Sequence, residues 1–238
     1  MKKMDVYFES FKIGCVENMN TSYPVYFKKI HKVNDDLLRG FLIWNKNIWS
    51  FQQPIKSENK KKSILLLLES PHKDEYQQNS KPKNSSIIPI RPANGRTGKT
   101  IETKIKNRPW LSYLNKQDVY QIFILNSIQY QCSCYNYIQN LLKIDPHLRD
   151  EVFKLFWNWN VNDTYIFQKC LIKRISSCNP NLIVNACTGM TEKNKIIVPK
   201  SKSLSEMVEN VVKPYAIENK IPYICDFHPA TCGKQCWK

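Results

Sequence analysis

The run Ser63-Ile-Leu-Leu-Leu-Leu68 constrains this chain more than any other stretch. It follows a lysine cluster that ends at Lys62, and Pro71 stands three residues beyond it. An apolar run this short cannot span a bilayer, and one without alternation does not read as a half-solvated strand. It predicts a strand buried on both faces, as in a parallel sheet. Val119–Leu125 and Leu182–Val184 read the same way, and Tyr223–Phe227 supplies a fourth strand. Between them, Thr100–Lys106, Asp150–Trp157, Thr164–Ser177 and Ser205–Val212 suit helices, the last continuing past Pro214. Asn179-Pro180 ends the third, because a residue before proline disfavours the helical region. Strands alternating with helices imply an α/β fold, here a three-layer sandwich with a central, mostly parallel four-stranded sheet flanked by helices. Residues 1–62 mix aromatic and basic positions without a clear period and read as an N-terminal cap or extension packed on a core of residues 63–238.

Charge narrows the function. Lys and Arg number 36 against 20 Asp and Glu, a formal net charge of +16. Such a surplus favours a polyanionic partner, DNA above all. A lysine- and asparagine-rich coding bias is the plainer explanation of the same count. The first ten residues hold no apolar signal segment, so the expectation is a cytoplasmic, nucleoid-associated monomer with no membrane partner. Nine cysteines form no Cys-x-x-Cys pair. Cys132-x-Cys134 and Cys232-x-x-x-Cys236 are the closest spacings, and buried apolar packing accounts for most of them better than a metal does.

In open parallel sheets ligands sit beyond the carboxyl ends of the strands. The residues just past the four expected strands are Glu69-Ser70-Pro71-His72-Lys73-Asp74-Glu75-Tyr76, Asn126-Ser127-Ile128-Gln129-Tyr130, Asn185-Ala186-Cys187-Thr188-Gly189 and His228-Pro229-Ala230-Thr231. Acid, amide and imidazole thus converge on one sheet edge. Taken singly, each has a bland alternative as a turn former, a loop cap or a structural histidine. Ala93-Asn-Gly-Arg-Thr-Gly-Lys-Thr100 ends like a phosphate-binding P-loop. That motif needs glycine at position 93 and a buried strand running into it, whereas Ile88-Pro89-Ile90-Arg91-Pro92 is a poor central strand. The amides of Gly95 to Lys99 can still meet a phosphate at a helix start, or the glycines simply make a tight turn.

These motifs, in this order, resemble the uracil-DNA glycosylase superfamily, and particularly its bacterial and archaeal iron-sulfur branch. Leu67-Leu68-Glu69-Ser70-Pro71 with Glu75 is similar to that branch's Gly-Glu-Ala-Pro-Gly-x-x-Glu motif. Arg91-Pro-Ala-Asn-Gly-Arg-Thr-Gly-Lys99 is similar to its Gly-Arg-Pro-Phe-x-Gly-Arg-x-Gly segment. Val119–Asn126 matches its strand ending in asparagine, Cys170–Gly189 its helix, Asn-Pro and strand ending in glycine, and His228-Pro229 its final His-Pro-Ser motif. The likeness runs from about Ser63 to Thr231.

The resemblance implies a DNA glycosylase that flips its target base out of the duplex and hydrolyses the N-glycosidic bond. Such chemistry passes through an oxocarbenium-like sugar and needs an acidic group near the anomeric carbon and a donor for the departing base. By resemblance, Asn126 contacts the base edge and His228 stabilises charge on the base. Glu69 is the first choice for the catalytic carboxylate, with Ser70 standing where many relatives carry the water-orienting residue and Asp74 and Glu75 in reserve. Pro71, His72, Ala93 and Asn94 fall at base-binding positions, and Arg96, Gly98, Lys99 and Thr100 at phosphate-contacting ones. Thr231, Lys234 and Gln235 lie in the loop that relatives push into the gap. Ala93 replaces a phenylalanine that stacks on uracil in that branch, which points to a bulkier or modified base such as some bacteriophage DNA carries, in repair or in antiviral defence. The branch's N-terminal cluster cysteines are not matched, since only Cys15 stands there, so neither an iron-sulfur cluster nor any other cofactor is expected. A catalytically inactive DNA-binding protein of the same fold and a nucleotide hydrolase are the competing readings.

Overall fold

A computed structural model of the chain describes residues 2–19, 25–27, 32–52, 61–71, 73–77, 88–130, 132, 150–193, 196–200 and 203–229. The fold is α/β. Its largest element is a mixed sheet of six strands, in the order Tyr223–Cys225, Leu182–Asn185, Lys62–Leu68, Val119–Asn126, Asp36–Asn45, Ile48–Gln52. The first three run parallel, with Leu67 level with Asn185 and Asn185 level with Cys225. Asp36–Asn45 is antiparallel to both of its neighbours.

All four expected strands are present and adjacent, but the sheet is larger than four strands. The two additional strands come from residues 36–52, part of the stretch read as an N-terminal cap. They are joined by Lys46 and Asn47, both in the left-handed region (φ 49° and 64°). That geometry matches the twist of a two-residue hairpin, though Lys-Asn lacks the glycine that usually advertises it. The Lys62–Leu68 strand is buried from Ser63 to Leu68. Each leucine so placed contributes roughly 1.5–3 kcal/mol of apolar burial, which explains why the run is continuous rather than alternating.

Four α-helices are described: Arg96–Lys104, Glu151–Trp157, Ile166–Cys178 and Leu204–Glu218. Leu204–Glu218 packs on Leu182–Asn185 and Tyr223–Cys225. It buries Leu204, Val208, Val212 and Ala216, a stripe at four-residue spacing, and tolerates Pro214 on its exposed face. Ser203 caps it, its hydroxyl oxygen accepting from the Glu206 N–H at 3.0 Å. With Glu206 three residues on, this is the Ser-x-x-Glu start signal.

The chain divides into two compact units, one of residues 1–34, 70–93 and 126–171, the other of residues 35–69, 94–125 and 172–238. In the first, Lys2–Phe8 pairs antiparallel with Phe11–Met19 and parallel with Val25–Phe27. Its centre is aromatic. The Phe8 ring lies 5.2 Å from Tyr130, 5.6 Å from Phe167 and 6.0 Å from Phe156. The second unit carries the six-stranded sheet. Among the described residues, no helix is long and apolar enough to cross a membrane.

Candidate active site at the carboxyl ends of the parallel strands

The register of the three parallel strands dictates which residues meet. Because Leu67, Asn185 and Cys225 are level, the residues just beyond them emerge together at one sheet edge. There the Glu69 carboxylate is gripped by one neighbour. The Thr188 hydroxyl donates to Oε1 at 2.6 Å and the Thr188 N–H to Oε2 at 3.2 Å. The His228 Nε2 lies 3.6 Å from the same Oε2. Glu69 and His228 are about 15% and 14% exposed, enough for a substrate to reach and too little for bulk water to screen them fully. A carboxylate fixed at both oxygens beside an imidazole can stabilise a developing positive charge on one side and supply a proton on the other.

The loop that presents Thr188 is held from three directions. Ala186 N–H donates to Leu67 O at 2.9 Å, Cys187 N–H to Asn185 Oδ1 at 3.1 Å, and Ser205 N–H to Thr188 O at 3.0 Å. Gly189 follows with φ 107°, and a Cβ there would collide with Ser203, so only glycine closes this turn. Asn185 serves the scaffold. Its Nδ2 donates to Ser205 O at 2.9 Å and to the Tyr223 hydroxyl at 2.8 Å, tying two strands to the helix start. Burial pushes the Tyr223 hydroxyl well above the ordinary tyrosine value, and burial followed by Glu209 pushes the Cys225 thiol up to about 12. Neither is a nucleophile at neutral pH.

Asp226, the first residue after the Tyr223–Cys225 strand, is fully buried. Its Oδ2 accepts from Arg108 Nε at 2.9 Å and from Trp110 Nε1 at 2.8 Å. Its Oδ1 accepts from Arg108 Nη2 and from the Phe227 N–H.

The first unit holds a second polar cluster. Asn126 is 1% exposed and Glu75 3% exposed, and Asn126 Nδ2 donates to Glu75 Oε2 at 2.9 Å. The two reserve acids thus differ: Glu75 is committed to the asparagine, while Asp74 is half-buried. Ser70, Pro71 and Ala93 are buried in this unit. Ala93 has φ 52°, a left-handed position following Pro92 where glycine would be the unstrained choice. The expected base-binding and catalytic residues therefore fall into two groups, Glu69, Asn94 and His228 in the sheet-bearing unit and Ser70, Pro71, Asp74, Glu75, Ala93 and Asn126 in the other. His72, Thr231, Lys234 and Gln235 lie outside the described residues.

The P-loop-like segment opens the Arg96–Lys104 helix. Gly95 stands at its N-cap with no side-chain cap, no acidic residue occupies the first turn, and Gly98 and Ile101 face inward. Arg96 and Lys99 are exposed and Thr100 is half-buried. The residues upstream, Ile88–Pro89, pair antiparallel with Tyr76–Gln77 in a two-stranded ribbon, not in the six-stranded sheet that a P-loop strand would join. Among the described residues, no group of three or more His, Cys, Asp or Glu is arranged to hold a metal ion.

Sequence reasoning placed Thr188 just past a strand but gave it no role, and it missed Arg108, Trp110 and Asp226. Thr188 was visible as a polar residue past a buried strand and just before a glycine. The other three carry no local signal, since the contacts join positions more than a hundred residues apart. Comparisons with protein-family models, with curated proteins and with solved structures find no match to this chain.

Proposed function

We propose that this protein is a DNA base-excision N-glycosylase acting on a bulky or modified base. The observation that carries the reading is the Glu69–Thr188–His228 cluster at the ends of adjacent parallel strands. In the reaction the bond between C1′ and the base nitrogen breaks, water adds its oxygen to C1′, and the base leaves with a proton. Glu69, oriented by Thr188, stabilises the cationic sugar and directs the water. His228 donates to the departing base. Arg96, Lys99 and Thr100, at a helix start free of acidic residues, suit the phosphates. On this reading the sheet and its helices form the three-layer α/β core of the uracil-DNA glycosylase superfamily, with parallel strands at its centre.

The test is base release, analysed by mass spectrometry, from uracil-containing DNA and from phage DNA carrying modified cytosines. Release of a modified base is the expected outcome, and release of uracil alone would refute the modified-base assignment. Glu69→Gln is expected to lower release at least a hundredfold, the scale of a lost general acid–base group, while DNA binding persists. Binding without release by the wild-type protein would instead identify a non-catalytic DNA-binding protein of this fold.

A further inference from the structure

We propose that the buried Arg108–Asp226 pair, tied off by Trp110, is the positioning device that holds the His228 imidazole against Glu69. The proposal rests on the reading of Glu69 and His228 as the working pair. Asp226 follows the Tyr223–Cys225 strand directly, and His228 comes two residues later. On that short link the Asp226 carboxylate takes four directed hydrogen bonds: two from the Arg108 guanidinium, one from the Trp110 indole and one from the Phe227 N–H. The Asp226 N–H meanwhile donates to Asn185 O at 2.8 Å, at the end of the neighbouring strand. The chain leaving the sheet is therefore fixed by backbone on one side and by side chain on the other before it reaches the imidazole.

Stability alone is a weak reason for this arrangement. Arg108 is 8% exposed and Asp226 1%, and desolvating two charges offsets much of their attraction, so a well-packed apolar pair of similar size holds a core at least as well. What an apolar pair lacks is direction. A guanidinium fork and an indole N–H converging on one carboxylate define the orientation of that residue in three dimensions, and with it the exit path of the chain. Arg108 is set for this task by two flanking turns, Ile105–Asn107 and Pro109–Tyr113, and its own N–H donates to Ile105 O at 3.1 Å. The action proposed for this group runs through His228.

The test separates position from stability. In the folded full-length protein, the ring chemical shifts of His228, assigned with His228→Gln, are recorded at one pH with and without Glu69→Gln. Their response to that substitution reports the contact between imidazole and carboxylate. The Arg108→Met, Asp226→Leu double variant is expected to melt near the wild-type temperature yet lose this response, with kcat for base release falling at least tenfold and KM little changed. If the double variant does not fold, Asp226→Asn, which keeps size and one acceptor oxygen, is expected to show a reduced response. A response that persists at full size in either variant, or that is absent from the wild-type protein, overturns the proposal. Should the response behave as expected while no base is released by any form, the positioning role stands and the glycosylase reading falls.

Discussion

At the residue scale the site depends on Thr188 giving Glu69 both of its donors, the hydroxyl and the backbone N–H. Thr188→Val keeps the shape and removes the hydroxyl. It is expected to cost about 1.5–3 kcal/mol, the range for a hydrogen bond to a charged acceptor, and to lower base release through kcat; urea unfolding and single-turnover kinetics read the two effects. A second single-residue prediction concerns Tyr130 in the aromatic cluster of the other unit. Burial foremost, with Cys170 and Glu9 adding to it, pushes its hydroxyl up to about 12. The unfolded chain gives up that proton from about pH 10, before the folded one does, so the stabilisation is complete below pH 10 and is lost as pH rises through about 12. The loss is roughly 2–3 kcal/mol, and Tyr130→Phe, measured by unfolding across that window, is expected not to show it. Glu69 and His228, which the structure brings together, could be picked out because each stands just past an apolar run. Arg108 and Asp226 could not, because burial of a charge follows from the tertiary fold and leaves no trace in local pattern.

At the element scale, a hairpin fixes one edge of the main sheet. Gly40 in the Asp36–Asn45 strand leaves no room for a side chain, since a Cβ there would stand 2.5 Å from Gln52 O and closer still to the Phe51 ring. Both belong to the adjoining edge strand, so relief would require moving backbone. Gly40→Ala is expected to destabilise the protein by about 1–3 kcal/mol, as overpacking does, measured as a lower urea midpoint with unchanged slope. This hairpin and the Lys2–Phe8 and Phe11–Met19 ribbon are among the elements that sequence did not reveal. Their pairings slip, between Asp36 and Gly40 and again at Lys2/Met4 and Val6/Tyr7, and each irregularity breaks the two-residue period by which a strand is recognised. The buried strands had no period to lose. Their apolar runs mark Ser63–Leu68 and Val119–Leu125 to within a residue of the observed limits, while Leu204–Glu218 begins one residue before the Ser205 start read from sequence.

At the scale of the whole molecule, charge is the dominant fact. Ion pairs such as Lys3–Glu17, Lys12–Asp5, Lys62–Asp118 and Lys213–Glu209 absorb some of the basic residues, yet the formal excess of +16 is unaffected by how the acids are paired. Such a surplus favours association with polyanions whatever their sequence, and that attraction weakens as salt supplies competing counterions. For the proposed function this has a measurable form. The logarithm of the DNA association constant should fall linearly with the logarithm of salt concentration, by about 0.9 for each phosphate engaged. Arg96 and Lys99, exposed at an acid-free helix start, are the cations assigned to phosphates, so Arg96→Ala and Lys99→Ala should each reduce that slope by about one unit and weaken binding to all sequences alike. A slope that neither substitution changes would move the DNA-contacting surface away from this helix, and binding insensitive to salt would remove DNA as the partner altogether.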